Sequence, residues 1–373
     1  MRKTVFPNTF SAQLTKFFSA FSKRVRKTFA AYCIGLVMTV RFRSIKRIAE
    51  DYYSSRVDAL HHFLANSPCR AEKVLSPIKA QITKVAGMSR KDLLLIIDDT
   101  PVDRNGSHIE GAGFHHGSKG IVKGQCVVTA VVRLAQVVLG VATKGYRSKH
   151  SCPRKQFKSK IDLALEVIED ACSIGRRFIV LLDAWYTCWK VLKKISDCGW
   201  RYVAAIKSNR RVLLRDRETS VRNLAKGRRK YRTVRLSGKR QVEVAKCIVT
   251  LPKLGEVALF ITKCRGHIKY LVSNDLGLTE TEAVRLYAQR WTIETWHRDM
   301  KQHLGFGELF VRKWRACQRH WTLCLIAYNA LVLWNASLPV SKRSRTFGRA
   351  VRAFRERYGT VYNRASHSEL KVA

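Results

Sequence analysis

The sequence predicts an α/β protein: a mixed sheet flanked by helices, with a β-rich insertion and a helical region at the N-terminus. Three observations predict it. The runs "LLLIIDD" (93–99) and "FIVLLDAWY" (178–186) are continuously apolar and lead into carboxylates, which is the texture of strands buried on both faces. Between them the helix-like period of "KSKIDLALEVIEDACSIG" alternates with strand-like segments, an order that describes a sheet covered by helices. From about 200 to 275 the chain is rich in short β-like runs and poor in helical periodicity.

Taken in order, residues 1–88 read as helical and basic, with apolar residues at helical spacing in "SIKRIAEDYYSSRVDALHHFLANS". After "GMSRKD" the texture changes to strand at 93–99, followed by "QCVVTAVVRL" and "AQVVLGVATKG" as two further strands. The next helix is stopped by Gly175, and a buried strand ends at Asp183. "RYVAAIKS", "KYRTVRLS", "RQVEVAKCIVTL", "EVALFITK" and "IKYLVSN" supply the strands of the insertion. A long helix over about 280–304 and a buried helix over about 316–337 close the core. The expected organisation is therefore a helical DNA-binding region (1–88), a catalytic core (89–338, insertion about 200–275) and a basic C-terminal tail (339–373).

Composition restricts the partner. Of 373 residues 46% are hydrophobic, enough for a substantial core, and 71 Lys and Arg stand against 27 Asp and Glu, a formal net charge of +44. An excess of that size points to a polyanion, with nucleic acid ahead of a membrane surface. The apolar runs at 29–40 and 321–334 fall short of the roughly 20 residues that cross a bilayer, so they read as buried helices. The first 49 residues hold 11 Lys or Arg and no acid, which superficially looks like an organelle transit peptide but is read as a DNA-facing helical segment. The 11 cysteines include no CxxC pair, which predicts reduced, packed thiols in the cytoplasm rather than a zinc ribbon or a disulfide framework.

Because acids are scarce, three acidic positions stand out: Asp98 and Asp99, Asp183, and Glu294. Two sit at strand ends, where a mixed sheet gathers ligands and catalytic groups, and carboxylates there suit Mg²⁺ or Mn²⁺. A helix cap or turn role remains open for each aspartate. In "YAQRWTIETWHRDMKQHLGFGE" (287–308), read as one helix, Tyr287, Arg290, Glu294, Arg298 and Lys301 share a polar face and Leu286, Ile293, Met300 and Leu304 an adjacent apolar stripe. A salt-bridge ladder would give the same pattern.

The spacing of Tyr287, Arg290, Glu294 and Lys301 resembles the YREK signature of bacterial insertion-sequence transposases of the insertion sequence 4 type. "DDT" (98–100) and "LLDAWY" (181–186) resemble the first and second acidic motifs of the same DDE transposases, over roughly residues 90–335. The resemblance implies an RNase H-like core with a β insertion. It also implies two divalent metal ions and the catalytic, metal-binding acids Asp99, Asp183 and Glu294, with Asp98 as the alternative register. Tyr287, Arg290, Arg298 and Lys301 are then expected to contact DNA. The implied activity is cleavage of element ends and transfer of their 3′-hydroxyls to target DNA. Its implied partners are double-stranded terminal inverted repeats and target DNA, with a homodimer in the synaptic complex, no membrane, and a bacterial, nucleoid-associated location. A transposase-derived DNA-binding protein with an idle triad and another RNase H-like nuclease are the alternatives.

Overall fold

The computed structural model describes residues 8–52, 57–69, 71–87, 93–104, 106, 108–117, 120–228, 230–236, 241–308 and 310–364. The segment "GMSRKD", where the sequence places the boundary between its first two regions, lies almost wholly outside them.

The apolar run at 93 forms β1 (Leu93–Asp103), with residues 93–97 all buried; the expectation that it ends at Asp98 and Asp99 is corrected, because its antiparallel neighbour stays paired as far as Asp103 and only the parallel neighbour stops at Ile97. β1 pairs antiparallel with β3 (Gly120–Leu134) on one side and parallel with β5 (Phe178–Leu182) on the other. β3 pairs with β2 (Gly113–Gly117) through its first residues and with β4 (Val137–Tyr146) through the rest. β6 (Arg201–Ile206) runs parallel to β5. The first strand expected of the insertion is thus hydrogen-bonded directly to the strand that leads to Asp183.

From β6 the same sheet continues through β12 (His267–Ser273), β11 (Gly255–Cys264), β10 (Gln241–Leu251), β7 (Arg211–Leu214) and β8 (Arg217–Ser220), with β9 (Arg232–Arg235) on β10. The insertion extends the sheet instead of forming a separate layer. Gly124 in β3 shows how closely the central strands meet: a Cβ there would lie 2.0 Å from the carbonyl oxygen of Val102.

Among the described residues five α-helices precede the sheet: α1 (Asn8–Thr15), α2 (Arg26–Met38), α3 (Ile45–Tyr52), α4 (Val57–Ala65) and α5 (Ala71–Ala86). α2 is buried continuously from Thr28 to Met38, as an all-round apolar helix must be. These helices share one hydrophobic core with the sheet. Buried polar contacts tie them to α11 (Trp314–Ser337), where the Tyr32 hydroxyl meets His320 Nδ1 at 2.8 Å and the Arg319 guanidinium donates to the Leu64 carbonyl at 2.9 Å. Asn329 of α11 bonds both backbone groups of Gly140 in β4. Residues 347–364 form α12 (Phe347–Arg364), whose Phe347, Val351 and Phe354 enter the same core.

α6 (Lys160–Cys172) begins with a Ser159/Asp162 capping box, and Gly175 adopts the left-handed conformation just beyond its end. Its last residue, Cys172, is disulfide-bonded to Cys198 at the end of α7 (Trp189–Asp197). The expectation that all thiols are reduced is corrected at this pair, because packing of α6 on α7 brings together cysteines 26 residues apart. The long helix expected at 280–304 is two helices, α9 (Glu280–Ala288) and α10 (Trp291–Leu304). The amides of Thr292 and Ile293 reach back three residues, to Gln289 and Arg290, and this tighter turn breaks the α-helical register.

Candidate active site

Strand alternation determines what the two adjacent aspartates can meet, because neighbouring side chains point to opposite faces. Asp98 faces α10: its Oδ2 accepts from Arg290 Nη1 at 2.8 Å and its Oδ1 from the Asp99 amide at 2.9 Å. Arg290 also pairs with Glu294 through its other terminal nitrogen. One guanidinium therefore joins an acid of the central strand to an acid of the helix. Asp183, one residue past β5, lies near enough for its charge to be felt at Asp98. Burial pushes the Asp98 carboxyl up to about 7; Arg290 opposes that rise, and the charges of Asp183 and Asp99 add to it.

Asp99 is held by a separate set of partners. Lys160 Nζ lies 2.7 Å from its Oδ2, the Cys126 thiol donates to the same oxygen at 3.1 Å, and the Tyr186 hydroxyl donates to Oδ1 at 2.8 Å. Burial alone would raise this carboxyl, but Lys160 and the hydrogen bonds outweigh it and leave it below its ordinary value. Lys160 is raised in turn, its pairing with Asp99 prevailing over its own burial. The same pair is thus stabilised in its charged form from both sides.

The remaining expected residues divide. Tyr287 lies beside Arg290, and burial raises its hydroxyl, with further contributions from Asp183 and Asp98. Lys301 donates to the Pro101 carbonyl at 2.8 Å, on the strand that carries both aspartates. Arg298 turns away: it reaches Thr295 at 3.4 Å and lines a groove with Arg133, Trp291 and Arg345. The structure therefore brings Asp98, Asp183, Tyr287, Arg290 and Glu294 together, sets Lys301 at their edge and leaves Arg298 on another face. Asp183 also serves its turn, accepting at Oδ1 from the amides of Trp185 (3.0 Å) and Tyr186 (3.1 Å).

Sequence reasoning misses Lys160, Cys126, Tyr186 and His297. Tyr186 carries a signal, standing three residues after Asp183 in "LLDAWY", whereas the others lie in no recognisable motif. His297 is buried on α10 with its Nε2 at 2.7 Å from the Thr129 hydroxyl, and burial lowers it to about 3. It is thus a neutral ring that fixes α10 against β3.

The donor chemistry of Asp98, Asp183 and Glu294 is hard carboxylate oxygen, suited to Mg²⁺ or Mn²⁺. Among the described residues, no group of three His, Cys, Asp or Glu is set closely enough to hold a metal ion as it stands, and Arg290 takes up part of the charge of two of these acids. Among the described residues, no helix is long and apolar enough to cross a membrane.

A family model described as DDE superfamily endonuclease matches residues 16–253. The match begins in the N-terminal helices, takes in Asp98, Asp99 and Asp183, and ends between β10 and β11, before the helix that carries Glu294. No curated protein matches the chain.

Proposed function

The chain belongs to the DDE superfamily of endonucleases, and from that premise we propose that it is a DNA transposase of the insertion sequence 4 type. In this reading it cleaves the ends of its element and joins their 3′-hydroxyls to target DNA. The observation that carries the proposal is that Arg290 bonds both Asp98 and Glu294 while the charge of Asp183 acts on Asp98. These acids come from the central strand, the end of its parallel neighbour and a helix more than a hundred residues further on, and Arg290 stands among them. The order β4-β3-β1-β5-β6, antiparallel and then parallel, supports an RNase H-like core. The net charge of +44 supports a DNA partner.

The first acid is assigned to Asp98 because it faces Arg290, Glu294 and Asp183, while Asp99 is satisfied by Lys160, Tyr186 and Cys126. Asp98, Asp183 and Glu294 would hold divalent metal, which when bound supplies activation of the attacking water or hydroxyl and stabilisation of the leaving oxygen. Arg290 holds Asp98 and Glu294 in register and presents a guanidinium to an incoming phosphate. Tyr287 packs against Arg290, and Lys301, with donors to spare beyond the Pro101 bond, meets the phosphate backbone at the rim. The Lys160–Asp99 pair fixes β1 against α6 so that Asp98 keeps its orientation.

The deciding test is a divalent-ion-dependent cleavage and joining assay on duplex DNA carrying the sequences that flank the coding region. Asp98→Ala, Asp183→Ala and Glu294→Ala should each abolish cleavage while retaining duplex binding. Full activity in any one of them removes that residue from the triad. Cleavage without joining would favour a nuclease of another type, and no cleavage by the unaltered protein would favour an idle DNA-binding descendant.

A further inference from the structure

The cleft that opens immediately behind Asp183 is not used by the chemistry above. It has a volume of about 620 Å³ and lies between the turn after β5, the start of α7 and the β10–β11 turn of the insertion, within the roughly 300–1,000 Å³ of ordinary ligand clefts. Two tryptophans stand in it with unusual exposure, Trp185 at 58% and Trp189 at 42%. Each carries an ammonium: Lys207 Nζ lies 5.7 Å from the Trp185 ring centre and Lys253 Nζ 5.3 Å from that of Trp189. Arg210 adds a third cation, its position fixed by a 2.7 Å bond to the Thr187 carbonyl. Leu192 and Leu251 supply an apolar floor, and no acidic residue lines the cleft among those described.

We propose that this cleft binds unpaired nucleotides of DNA next to the scissile phosphate, with bases stacked on Trp185 and Trp189 and the backbone met by Lys207, Lys253 and Arg210. Exposed indole faces cost solvation and offer flat apolar surfaces that every base can cover, whatever its sequence. The cations over and beside them match the phosphates such a strand carries, whereas an apolar protein partner would leave three cations to be desolvated without counter-charge. The link to the active site is covalent and short. Trp185 is two residues from Asp183, and its amide donates to the Asp183 carboxylate at 3.0 Å, so a strand seated on the indole is held beside that acid. The inference rests on the nuclease reading for its purpose but has its own test.

Binding of the full chain to a labelled oligothymidylate and to a duplex of equal length would be measured by fluorescence anisotropy in EDTA. Trp185→Ala and Trp189→Ala should each weaken the single strand by roughly 5- to 150-fold, the range for losing one base stack, and leave duplex affinity unchanged. Trp185→Phe and Trp189→Phe should recover most of the loss, which separates stacking from a fold defect. Equal losses for single strand and duplex would reduce the cleft to a general cationic surface and overturn the proposal. So would unchanged single-strand binding, or an altered oligomeric state with single-strand affinity intact. A protein that fails to cleave yet binds single strands through the tryptophans would refute the nuclease reading and leave this one standing.

Discussion

Replacing Asp98 and Asp99 separately by Asn should move stability in opposite directions, although the two carboxyls are adjacent. Asp98 is raised from 3.8 to about 7. The folded protein therefore binds a proton more tightly than the unfolded chain, and the associated stability is present at low pH and lost as pH rises towards 7. At about 1.4 kcal/mol per tenfold, ionised Asp98 costs the fold about 4 kcal/mol by pH 8. Asn, which does not ionise, escapes that cost. Asp98→Asn should therefore gain on the unaltered protein by about 3–4 kcal/mol between pH 4 and pH 8. Asp99 is lowered, so its contribution is present above 3.8 and lost as pH falls. Asp99→Asn leaves the mostly buried Lys160 ammonium, 19% exposed, without its counter-charge and should cost about 3 kcal/mol at pH 8. Urea unfolding of both variants in EDTA at pH 4, 6 and 8 reads these effects as midpoint shifts. If Asp98→Asn destabilised more at pH 8 than at pH 4, the argument that Asp98 is the strained, functional acid would collapse.

Three further outcomes are expected. His297 is lowered from 6.5 to about 3, so the unfolded chain binds its proton first and stability falls with acid. His297→Gln should recover about 3 kcal/mol of that loss at pH 4 relative to pH 8, read from the same urea midpoints. Gly124→Ala, whose Cβ would sit 2.0 Å from a backbone oxygen, should cost about 3 kcal/mol or more and lower the melting temperature; an unchanged melting temperature would show that β1 and β3 can part freely. Arg298→Ala should lower the slope of log affinity against log salt for duplex DNA by about 1 without loss of cleavage, and an unchanged slope would remove Arg298 from the DNA-contacting set.

Legibility in the sequence followed the range of the forces involved. β1 and β5 could be read because burial on both faces demands an unbroken apolar run, and α6 because its cap, amphipathic period and terminal glycine all agree. Glu294 could be placed near Arg290 because the two are four residues apart in sequence and stay so across the turn between α9 and α10. The choice between Asp98 and Asp99 could not be read. A strand shows that two neighbours point apart, but which face meets α10 depends on packing with residues nearly two hundred positions away. Lys160, Cys126 and the Cys172–Cys198 pair were hidden for the same reason.

The two adjacent aspartates also differ in how fully their charge is met. A protein carrying so much positive charge could have neutralised both aspartates, yet it does so fully at one alone. Asp99 has a lysine and two further donors. Asp98 shares its single arginine with Glu294 and feels Asp183 besides, so its negative charge is incompletely met. A carboxylate left at that disadvantage gains most from a cation that arrives with the substrate. On the proposed function, the stability forgone at Asp98 would be recovered when a divalent cation binds, while the Lys160–Asp99 pair ties the same strand to α6.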